Sequence, residues 1–378
     1  MSFESFSFHP RINAGILAAG YSNPTPIQSQ TIQPVLDRRD VLGMAQTGTG
    51  KTAAFVLPIL QHLLTGPRGR LRALILSPTR ELAEQTNSVI KQLGKKTGLR
   101  SVSIYGGVSA IPQIQLLRSG AEIAVACPGR LLDLIGQGQV NLKAIDTLVI
   151  DESDMMFDMG FLPDIRRILA LLPQNQQRLL FSATMPAEIR QLAVDLLKNP
   201  ITVEIGASRP VESVEQTVYP MQPEEKMPML LDLLSAAGNE QVLVFTRTKH
   251  RAEKLASQLV KAGHAATSLQ GNLSQNKRQM AMDGFRTGRV QVLVATDIAS
   301  RGIDVSRIAH VVNYDVPDTA DAYTHRVGRT GRMSRLGAAH TFATREDVQM
   351  IRTIERMIGR PLKRQKPAFR VEPNKSAH

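Results

Sequence analysis

Short apolar runs alternate with segments that are polar on one face along most of the chain. Helix-like stretches such as Arg80 to Leu93 and Phe161 to Leu172 separate most of these runs. Short apolar strands that alternate with helices are typical of a doubly wound, parallel α/β sheet. In the first half the apolar runs are Asp40 to Met44, Leu71 to Leu76, Ser101 to Tyr105, Glu122 to Ala126, Thr147 to Ile150 and Arg178 to Phe181.

The same alternation starts again after a polar, proline-bearing stretch, and no second glycine-rich loop with a lysine follows it. At 378 residues the chain exceeds one ordinary domain. We therefore expect domains at 1–205 and 217–360, a linker at 206–216 and a disordered basic tail at 361–378. The second set of strand-like runs is Gln241 to Phe245, Val290 to Ala295, Ala309 to Asn313 and Ala338 to Phe342.

The net charge of the chain indicates a class of binding partner. Lys and Arg number 46 against 33 Asp and Glu, which gives a net charge of +13. Such an excess favours a polyanion, because each neutralised phosphate releases condensed counterions. Nucleic acid is favoured over a membrane surface, and a merely solvated basic surface is the alternative.

Cysteine content and the absence of targeting segments predict the cellular compartment. The single cysteine, Cys127, excludes an intramolecular disulfide and a multi-cysteine zinc site. No segment is long and apolar enough to span a bilayer, and the N-terminus has neither region of a signal peptide. A cytoplasmic protein with no membrane partner is expected.

A candidate phosphate-binding loop, AQTGTGKT, occupies residues 45–52 between a strand-like and a helix-like segment. Glycines 48 and 50 would let backbone N–H groups surround phosphate oxygens at a helix N-terminus. Lys51 would reach the terminal phosphates, and the Thr52 hydroxyl would bind magnesium. Ala45 replaces the glycine that usually opens this pattern, and a glycine turn with a chance lysine is the alternative.

An acidic run, Asp151-Glu152-Ser153-Asp154, follows a buried strand one hundred residues later. Phosphoryl transfer to water requires a magnesium ligand and a group that orients and deprotonates the water. Asp151 suits the first role, through water, and Glu152 the second. An acidic strand end that caps a helix is the alternative.

A stiff turn with two prolines leads to Gln28, whose amide offers one donor and one acceptor to a planar base. That pair suits the outer edge of adenine, although a proline-rich loop before a helix cap would look the same. The string HRVGRTGR at 325–332 holds three arginines that would repel one another without an anion among them. A solvated basic loop is the alternative.

These motifs, taken in order, resemble those of the DEAD-box ATP-dependent RNA helicases. The match includes GYSNPTPIQ at 20–28, AQTGTGKT, PTREL at 78–82, the acidic run, Ser-Ala-Thr at 182–184 and HRVGRTGR. It spans roughly residues 3–345, and MSF at 1–3 with LVFTRTKH at 243–250 look most like the bacterial RhlE-type subgroup. The resemblance implies two tandem RecA-like domains, the core of superfamily 2 helicases.

The resemblance also implies site residues, with ATP and Mg²⁺ as cofactors. Catalytic roles fall on Lys51, Asp151, Glu152, Arg326 and Arg329, the two arginines reaching the γ-phosphate. Nucleotide contacts fall on Phe3, Tyr21, Gln28, Thr47, Gly48, Thr49, Gly50, Lys51, Thr52 and Asp304. Single-stranded RNA would be bound by Thr79, Arg80, Gly107, Gly129, Arg130, Arg247, Gly271 and Thr296. Coupling of hydrolysis to strand separation falls on Asp154, Ser182, Thr184 and Arg332.

The expected activity is RNA-stimulated ATP hydrolysis that locally unwinds RNA, with ribosome or RNA-degradation factors as further partners. Two positions depart from the family: Ser153 replaces alanine and Cys127 replaces threonine. These departures leave open an ATP-gated RNA-binding scaffold with negligible turnover. A DNA translocase is the third reading, against which the glutamine motif and PTREL argue.

Overall fold

The computed structural model describes residues 2–46, 48–205, 214–297, 308–331 and 337–366, except for the side chain of Gln275. The chain divides into two compact units, Met1–Ala207 and Ser208–His378, called unit 1 and unit 2 below. Thr47, Asp304, Arg332, most of the predicted linker and most of the predicted tail lie outside the described residues.

Unit 1 contains a seven-stranded sheet in the order β3-β4-β2-β5-β6-β1-β7, in which every pair is parallel. Its strands are β1 (Val41–Met44), β2 (Ala73–Leu76), β3 (Ser101–Ile104), β4 (Ile123–Ala126), β5 (Thr147–Ile150), β6 (Gln177–Ser182) and β7 (Ile201–Glu204). Its helices are α1 (Pro10–Ala18), α2 (Pro26–Leu36), α3 (Lys51–Leu64), α4 (Arg80–Leu93), α5 (Ile111–Arg118), α6 (Pro128–Gly136), α7 (Ser153–Asp158), α8 (Leu162–Ala170) and α9 (Ala187–Leu196).

The central strands are apolar on both faces because helices cover both sides of the sheet. In β2, Ala73 and Ile75 pack into one apolar cluster, whereas Leu74 and Leu76 pack into the other. Successive side chains of a strand point to opposite faces, so a strand between two helix layers needs apolar residues throughout. This arrangement confirms the predicted parallel α/β sheet in the first half of the chain.

Unit 2 repeats the architecture with a parallel sheet in the order β10-β11-β9-β12-β13-β8-β14. Its strands are β8 (Val214–Pro220), β9 (Gln241–Phe245), β10 (Ala266–Leu269), β11 (Val292–Ala295), β12 (Ile308–Asn313), β13 (Gly337–Ala343) and β14 (Lys363–Arg364). Helices of its described segments are α10 (Lys226–Ala237), α11 (Lys249–Lys261), α12 (Gln275–Arg286), α13 (Ala320–Val327) and α14 (Val348–Ile358).

Both ends of unit 2 are more ordered than the sequence indicated. Residues 214–216, which were assigned to the linker, begin β8, where Val214 is buried and pairs with Gly337 of β13. The prediction of disorder is wrong for residues 361–366, because Leu362 is buried and β14 pairs with β8. A single buried leucine among charged residues is too weak a pattern to indicate a strand.

A histidine pair crosses the sheet of unit 2. His310 of β12 and His340 of β13 approach at 3.2 Å between Nδ1 and Nε2, and Tyr219 Oη lies 3.4 Å from His340 Nδ1. The pKa of His340 is lowered to about 4. Burial is the largest cause, His310 also lowers the pKa, and Glu215 opposes the shift. The neutral form of His340 is therefore the form that the fold accommodates.

Acidification is expected to destabilise unit 2 through this residue. A depressed histidine pKa means that its stabilisation is fully present above pH 6.5 and is lost as the pH falls towards 4. The loss should reach about 3 kcal/mol, at roughly 1.4 kcal/mol for each pKa unit. Hydrogen exchange of the β12 and β13 amides across this range measures it. His340→Gln should flatten the dependence, and an unchanged slope in that variant would contradict the assignment.

Candidate nucleotide site and RNA-facing edge

Three sequence motifs meet at one edge of the sheet in unit 1. Residues 45–52 follow β1, the acidic run follows β5, and Ser182 ends β6. Because β6 lies between β5 and β1, the carboxyl ends of these strands are neighbours. The N–H of Ala45 donates to Ser182 O at 3.1 Å and joins two of the motifs directly. Ligands of parallel α/β sheets bind at this edge.

The phosphate loop depends on glycine geometry. Gly48 and Gly50 have φ values of 89° and 97°, a region that favours glycine. The hydroxyl of Thr49 donates to Gln46 O at 2.8 Å and closes the turn. Lys51 is the first residue of α3, so the free N–H groups of that helix follow the loop directly. This combination can hold an anion by backbone donors.

Lys51 forms an ion pair with the acidic run. Its Nζ lies 2.9 Å from Glu152 Oε1, and both side chains are buried. Burial alone would lower the pKa of Lys51, but the nearby Glu152 and Asp151 carboxylates outweigh it, so this pKa is raised. Burial raises the pKa of Asp151 to about 7, against the opposing effect of Lys51. A bound triphosphate would compete with Glu152 for the ammonium group.

The donor set beside this pair fits magnesium. Asp151 Oδ1 accepts the N–H of Glu152 at 3.1 Å, whereas Oδ2 receives no hydrogen bond from the described residues. Thr52 contributes a hydroxyl from the first turn of α3. Hard oxygen donors of one or two side chains, completed by water and phosphate, are what Mg²⁺ prefers. Asp151 and Thr52 are therefore the residues that would hold the ion.

Glu152 has an unusual backbone conformation. Its φ and ψ are 54° and 52°, the left-handed region that a residue with a side chain seldom adopts. Such a conformation costs on the order of 1–3 kcal/mol and persists only where its surroundings enforce it. Here it separates the end of β5 from the start of α7 and directs consecutive carboxylates to different partners. Strain at the proposed base supports a functional role.

Gln28 already contacts the phosphate loop. The N–H of Thr25 donates to its Oε1 at 2.9 Å, and its Nε2 donates to Gly50 O at 3.1 Å. A primary amide has two N–H donors and two lone pairs, so one of each remains. That remainder matches the donor and acceptor pair predicted for adenine. Sequence reasoning missed the link to Gly50, because the two residues are far apart in the chain.

The two aromatic residues predicted near the base lie together. Phe3 and Tyr21 stack with ring centroids 6.2 Å apart. Phe3 is buried and also contacts Phe6, at 6.4 Å between centroids, whereas Tyr21 is half-buried. Phe3 thus packs in the core of unit 1 and supports Tyr21, which is the more accessible of the two rings.

Gly50→Ala is expected to weaken ATP binding by at least about tenfold, or about 1.4 kcal/mol. A Cβ at this position would lie 2.5 Å from Gln28 Nε2 and would require a side chain at φ +97°. The change would therefore displace both Gln28 and the phosphate loop. Fluorescent-nucleotide titration measures the affinity. Gly138→Ala, also at positive φ but with nothing near its Cβ, is the matched control, and equal losses in both variants would contradict the specific link.

The predicted coupling residues of unit 1 form one hydrogen-bonded cluster. Asp154 Oδ2 accepts both the N–H and the hydroxyl of Thr184, at 2.9 and 3.0 Å. The N–H of Asp154 donates to Ser182 Oγ at 3.3 Å, and that hydroxyl donates to Thr184 O at 2.7 Å. The neighbouring Ser153 hydroxyl is buried and has no hydrogen-bond partner in the described structure. The departure from alanine therefore leaves the cluster bonds intact.

Most RNA-facing residues predicted in unit 1 gather around one turn. Gly107 lies in a turn and has a φ of +76°. A Cβ on Gly107 would lie 2.1 Å from the Arg80 guanidinium. Arg130 donates to Val108 O at 3.3 Å. Thr79 caps α4 by accepting the N–H of Leu82 at 3.3 Å, and the Cβ position of Gly129 faces open space. Two arginines and two glycines thus share a surface, as backbone phosphates require.

Cys127 lies beside this surface, where the family has threonine. It precedes α6 and is half-buried. Burial raises the pKa of its thiol to about 12, with Glu81 adding to the shift and Arg80 opposing it. A raised pKa favours the protonated thiol, which is the less nucleophilic form. It also replaces the stronger hydroxyl donor that threonine would present.

In unit 2 the predicted RNA contacts follow three adjacent strands. Arg247, Gly271 and Thr296 follow β9, β10 and β11, which are neighbours in the sheet. Arg247 is half-exposed and pairs with Asp318 and Asp347 at 3.3 and 3.6 Å. An RNA phosphate would have to replace these partners. The fold therefore brings the three predicted positions to one edge.

Arg326, one of the two arginines predicted to reach a γ-phosphate, is held within unit 2 by several partners. Its Nε and Nη2 donate to the two carboxylate oxygens of Asp297 at 2.5 and 2.6 Å. Its Nη1 donates to Asn313 Oδ1 at 3.2 Å and to Asp315 O at 2.7 Å, and the guanidinium lies 4.9 Å from the Phe245 ring centroid. The side chain is buried, and these contacts tie it to other residues of unit 2.

Sequence reasoning missed the partners that hold this arginine. Asp297 had no assigned role, and Asp315 is a second centre that accepts Lys226 Nζ at 3.3 Å and Arg251 Nη1 at 3.1 Å. Both aspartates follow strand ends, which is the signal that could have indicated them. Arg329 is buried, and its N–H donates to Arg326 O at 3.1 Å. The fixed Arg326 thus anchors the backbone that carries Arg329.

Comparisons with known proteins match both units. The model described as DEAD/DEAH box helicase matches residues 25–192, and that described as Helicase conserved C-terminal domain matches residues 225–334. The chain is 42% identical over 369 residues to the DEAD-box ATP-dependent RNA helicase CshA of Streptococcus pneumoniae, covering 97% of this chain and 70% of the relative. It is 40% identical over 368 residues to that of Bacillus subtilis, covering 97% and 74%.

Solved structures agree in fold. The structure titled S. cerevisiae Dbp5 bound to RNA and ADP BeF3 gives a TM-score of 0.87 at 31% identity, covering 97% of this chain and 96% of that one. Mss116p bound to ssRNA and AMP-PNP gives 0.86 at 27% identity, covering 99% and 79%. The two parallel sheets flanked by helices are therefore RecA-like, and the chain belongs to the DEAD-box family of ATP-dependent RNA helicases.

Proposed function

We propose that this helicase hydrolyses ATP in response to RNA and uses the cycle to separate short RNA duplexes locally. The observation that carries the proposal is the buried Lys51–Glu152 pair, which lies next to Asp151 and the cluster of Asp154 with Thr184. The ends of three strands thus bring together a phosphate ligand, a base and a hydrogen-bonded relay. A chance glycine turn or a simple helix cap would not bring these groups together.

The second N–H donor and the second lone pair of the Gln28 amide would bind adenine, with Tyr21 beside the base. The backbone of residues 47–50 would surround the phosphates, while Lys51 moves from Glu152 to the terminal phosphates. Magnesium, held by Thr52 and by Asp151 through water, would neutralise phosphate charge. Asp304 is proposed as a further nucleotide contact on the strength of the family resemblance alone.

When Lys51 turns to phosphate, the Glu152 carboxylate would accept a proton. It would orient the attacking water and remove its proton as the γ-phosphoryl group is transferred. Arg326 and Arg329 are proposed to stabilise the charge that develops on that group, and Arg326 also to position Arg329. Asp154, Ser182 and Thr184, with Arg332, would pass the change at the phosphate to the RNA contacts.

The RNA contacts are proposed to be backbone contacts with little sequence preference. In unit 1 they come from the arginines, glycines and cap residue around the Gly107 turn, and in unit 2 from the ends of β9, β10 and β11. Hydroxyls, arginines and glycine N–H groups bind phosphate and sugar and do not read bases. Such a surface selects single-stranded RNA by its backbone shape.

We also propose a subgroup, a compartment and partners for this protein. MSF at 1–3 and LVFTRTKH at 243–250 support the RhlE-type subgroup, and the CshA relatives support a bacterial type. We propose a first domain at 1–205, cytoplasmic localisation and encounters with ribosome or RNA-degradation factors. No helix within the described ranges is both long and apolar enough to cross a membrane.

Multiple-turnover phosphate release, titrated with short single-stranded RNA, duplex RNA and matched DNA, tests the function. We expect turnover to rise with either RNA and much less with DNA. A non-hydrolysing scaffold would bind ATP and RNA but release no phosphate beyond the first turnover. Equal stimulation by DNA would instead support a translocase of the wider superfamily.

A further inference from the structure

Unit 1 carries a basic surface at the edge opposite the nucleotide site. The amino ends of parallel strands share one edge, just as their carboxyl ends share the other. The loops before β2, β3 and β5 place their charges there, and these strands lie within four neighbouring positions of the sheet. We call the following six exposed residues the basal surface: Arg68, Arg70, Lys95, Lys96, Arg100 and Lys143.

The acids of these loops and of the loop before β4 are paired with neighbouring groups. They are Asp146 before β5 and Glu122 before β4. Glu122 is fully buried, and its carboxylate accepts the N–H groups of Gly69 and Arg100 at 3.1 and 2.8 Å. Asp146 pairs with the buried Arg72 at 2.8 Å. Both acids are thus used to build the loops, and the exposed charge is positive.

The loops are held in place before any ligand binds. Arg68 donates to Glu122 Oε1 at 2.8 Å and to Gly98 O at 2.6 Å, which ties the loops before β2, β3 and β4 together. A Cβ on Gly120 would lie 2.8 Å from the Cα of Gly69, so these two backbones are in direct contact. A rigid set of charges loses little conformational entropy when it binds.

Four of the charged groups have no partner among the described residues. No hydrogen bond or ion pair joins the side chains of Arg70, Lys95, Lys96 and Lys143 to another described residue. Neighbouring strands are about 4.8 Å apart, so the loops of four neighbouring strands cover roughly 15 Å. Like charges at that spacing repel each other, and an extended polyanion relieves the repulsion.

We propose that the basal surface binds the phosphate backbone of an RNA segment that flanks the strand held at the RNA-facing edge. The proposal rests on the function proposed above and specifies its substrate class. Because the two edges are opposite, a short single strand cannot occupy both, whereas an RNA with an adjoining stem can reach around unit 1. The preferred substrate is therefore a structured RNA that presents a duplex next to a single-stranded stretch.

The test replaces Arg70, Lys95, Lys96 and Lys143 together by glutamine in the full chain. Two RNAs are compared: a single strand of about 10 nucleotides, and the same strand joined to a hairpin stem of about 30 base pairs. The variant should bind the stem-bearing RNA at least about 10-fold more weakly, and the slope of its log affinity against log salt should fall by about 3. Binding of the short strand and the ATP turnover it stimulates should stay unchanged.

A control variant removes the same charge elsewhere on unit 1: Arg11, Arg166, Arg167 and Arg190, all exposed, become glutamine. Equal losses in both variants would show a general charge effect and overturn the proposal. Unchanged affinity for the stem-bearing RNA would also overturn it and would favour an acidic protein as the occupant. Absence of RNA-stimulated turnover in the parent protein would instead reject the proposed function, so the two failures are distinct.

Discussion

ATP turnover in Glu152→Gln should fall by about 10²- to 10⁴-fold, the usual contribution of a positioned general base. Glutamine keeps the size and one oxygen of the side chain but cannot accept a proton from water. Lys51, which lies 2.9 Å from Glu152, would lose its ion-pair partner and become more available to phosphate. ATP binding should therefore be maintained or strengthened while hydrolysis fails. Phosphate release and nucleotide affinity, measured on the same preparation, separate these two effects.

Two further variants sharpen this experiment. Lys51→Ala should lose nucleotide affinity as well as turnover, because the lysine both binds phosphate and balances the buried acidic run. Glu188→Gln changes an exposed acid at the start of α9 and should leave both quantities unaltered. Turnover at the parent rate in Glu152→Gln would reject the assignment of this residue as the base.

Arg326→Ala is expected to destabilise unit 2 by about 3–5 kcal/mol, the usual effect of removing one partner of a buried ion pair. The change would leave the Asp297 carboxylate without the bidentate partner that it contacts at 2.5 and 2.6 Å. It would also leave Asn313 and the carbonyl of Asp315 without their donor. Urea unfolding followed by exchange of the β9 and β12 amides measures the loss.

Matched variants distinguish a positioning role from a direct role at phosphate. Arg326→Lys should recover little stability, because an ammonium group cannot reproduce the planar bidentate contact. Arg352→Ala removes an exposed arginine of α14 and should change stability by no more than about 0.5 kcal/mol. Full stability of Arg326→Ala with abolished turnover would support a direct phosphate contact and contradict the positioning role.

The sequence predicted the central strands well because their signal is local. Residues 73–76, 123–126 and 147–150 are buried at every position, and a continuous apolar run records that directly. Three of the strands that it missed, β7, β10 and β14, lie at sheet edges, whereas the fourth, β8, is an interior strand beside the predicted linker. In β7 only Val203 is buried, and β10 is mostly half-buried. Where one face of a strand is exposed to solvent or the strand is short, the pattern of apolar residues becomes too weak to indicate it.

The site was predictable where a motif carries its own chemistry and less so where partners are distant in the chain. Lys51, Asp151 and Glu152 were placed by residue type and spacing. The burial of Arg326 was not, because its partners Asp297 and Asp315 come from the ends of other strands. The basal surface could not be recognised either, since strand order alone brings residues 70, 95 and 143 to one edge.

The hydrogen bond from Gln28 to Gly50 O has a consequence for nucleotide choice. A base that engages this amide also alters the peptide group that faces the triphosphate, so base identity and phosphate alignment are sensed by one contact. Guanosine or cytidine triphosphate should then bind through its phosphates yet leave the loop misaligned. Discrimination would appear in the catalytic rate constant as well as in occupancy, and the enzyme would reject wrong nucleotides partly by not reacting with them.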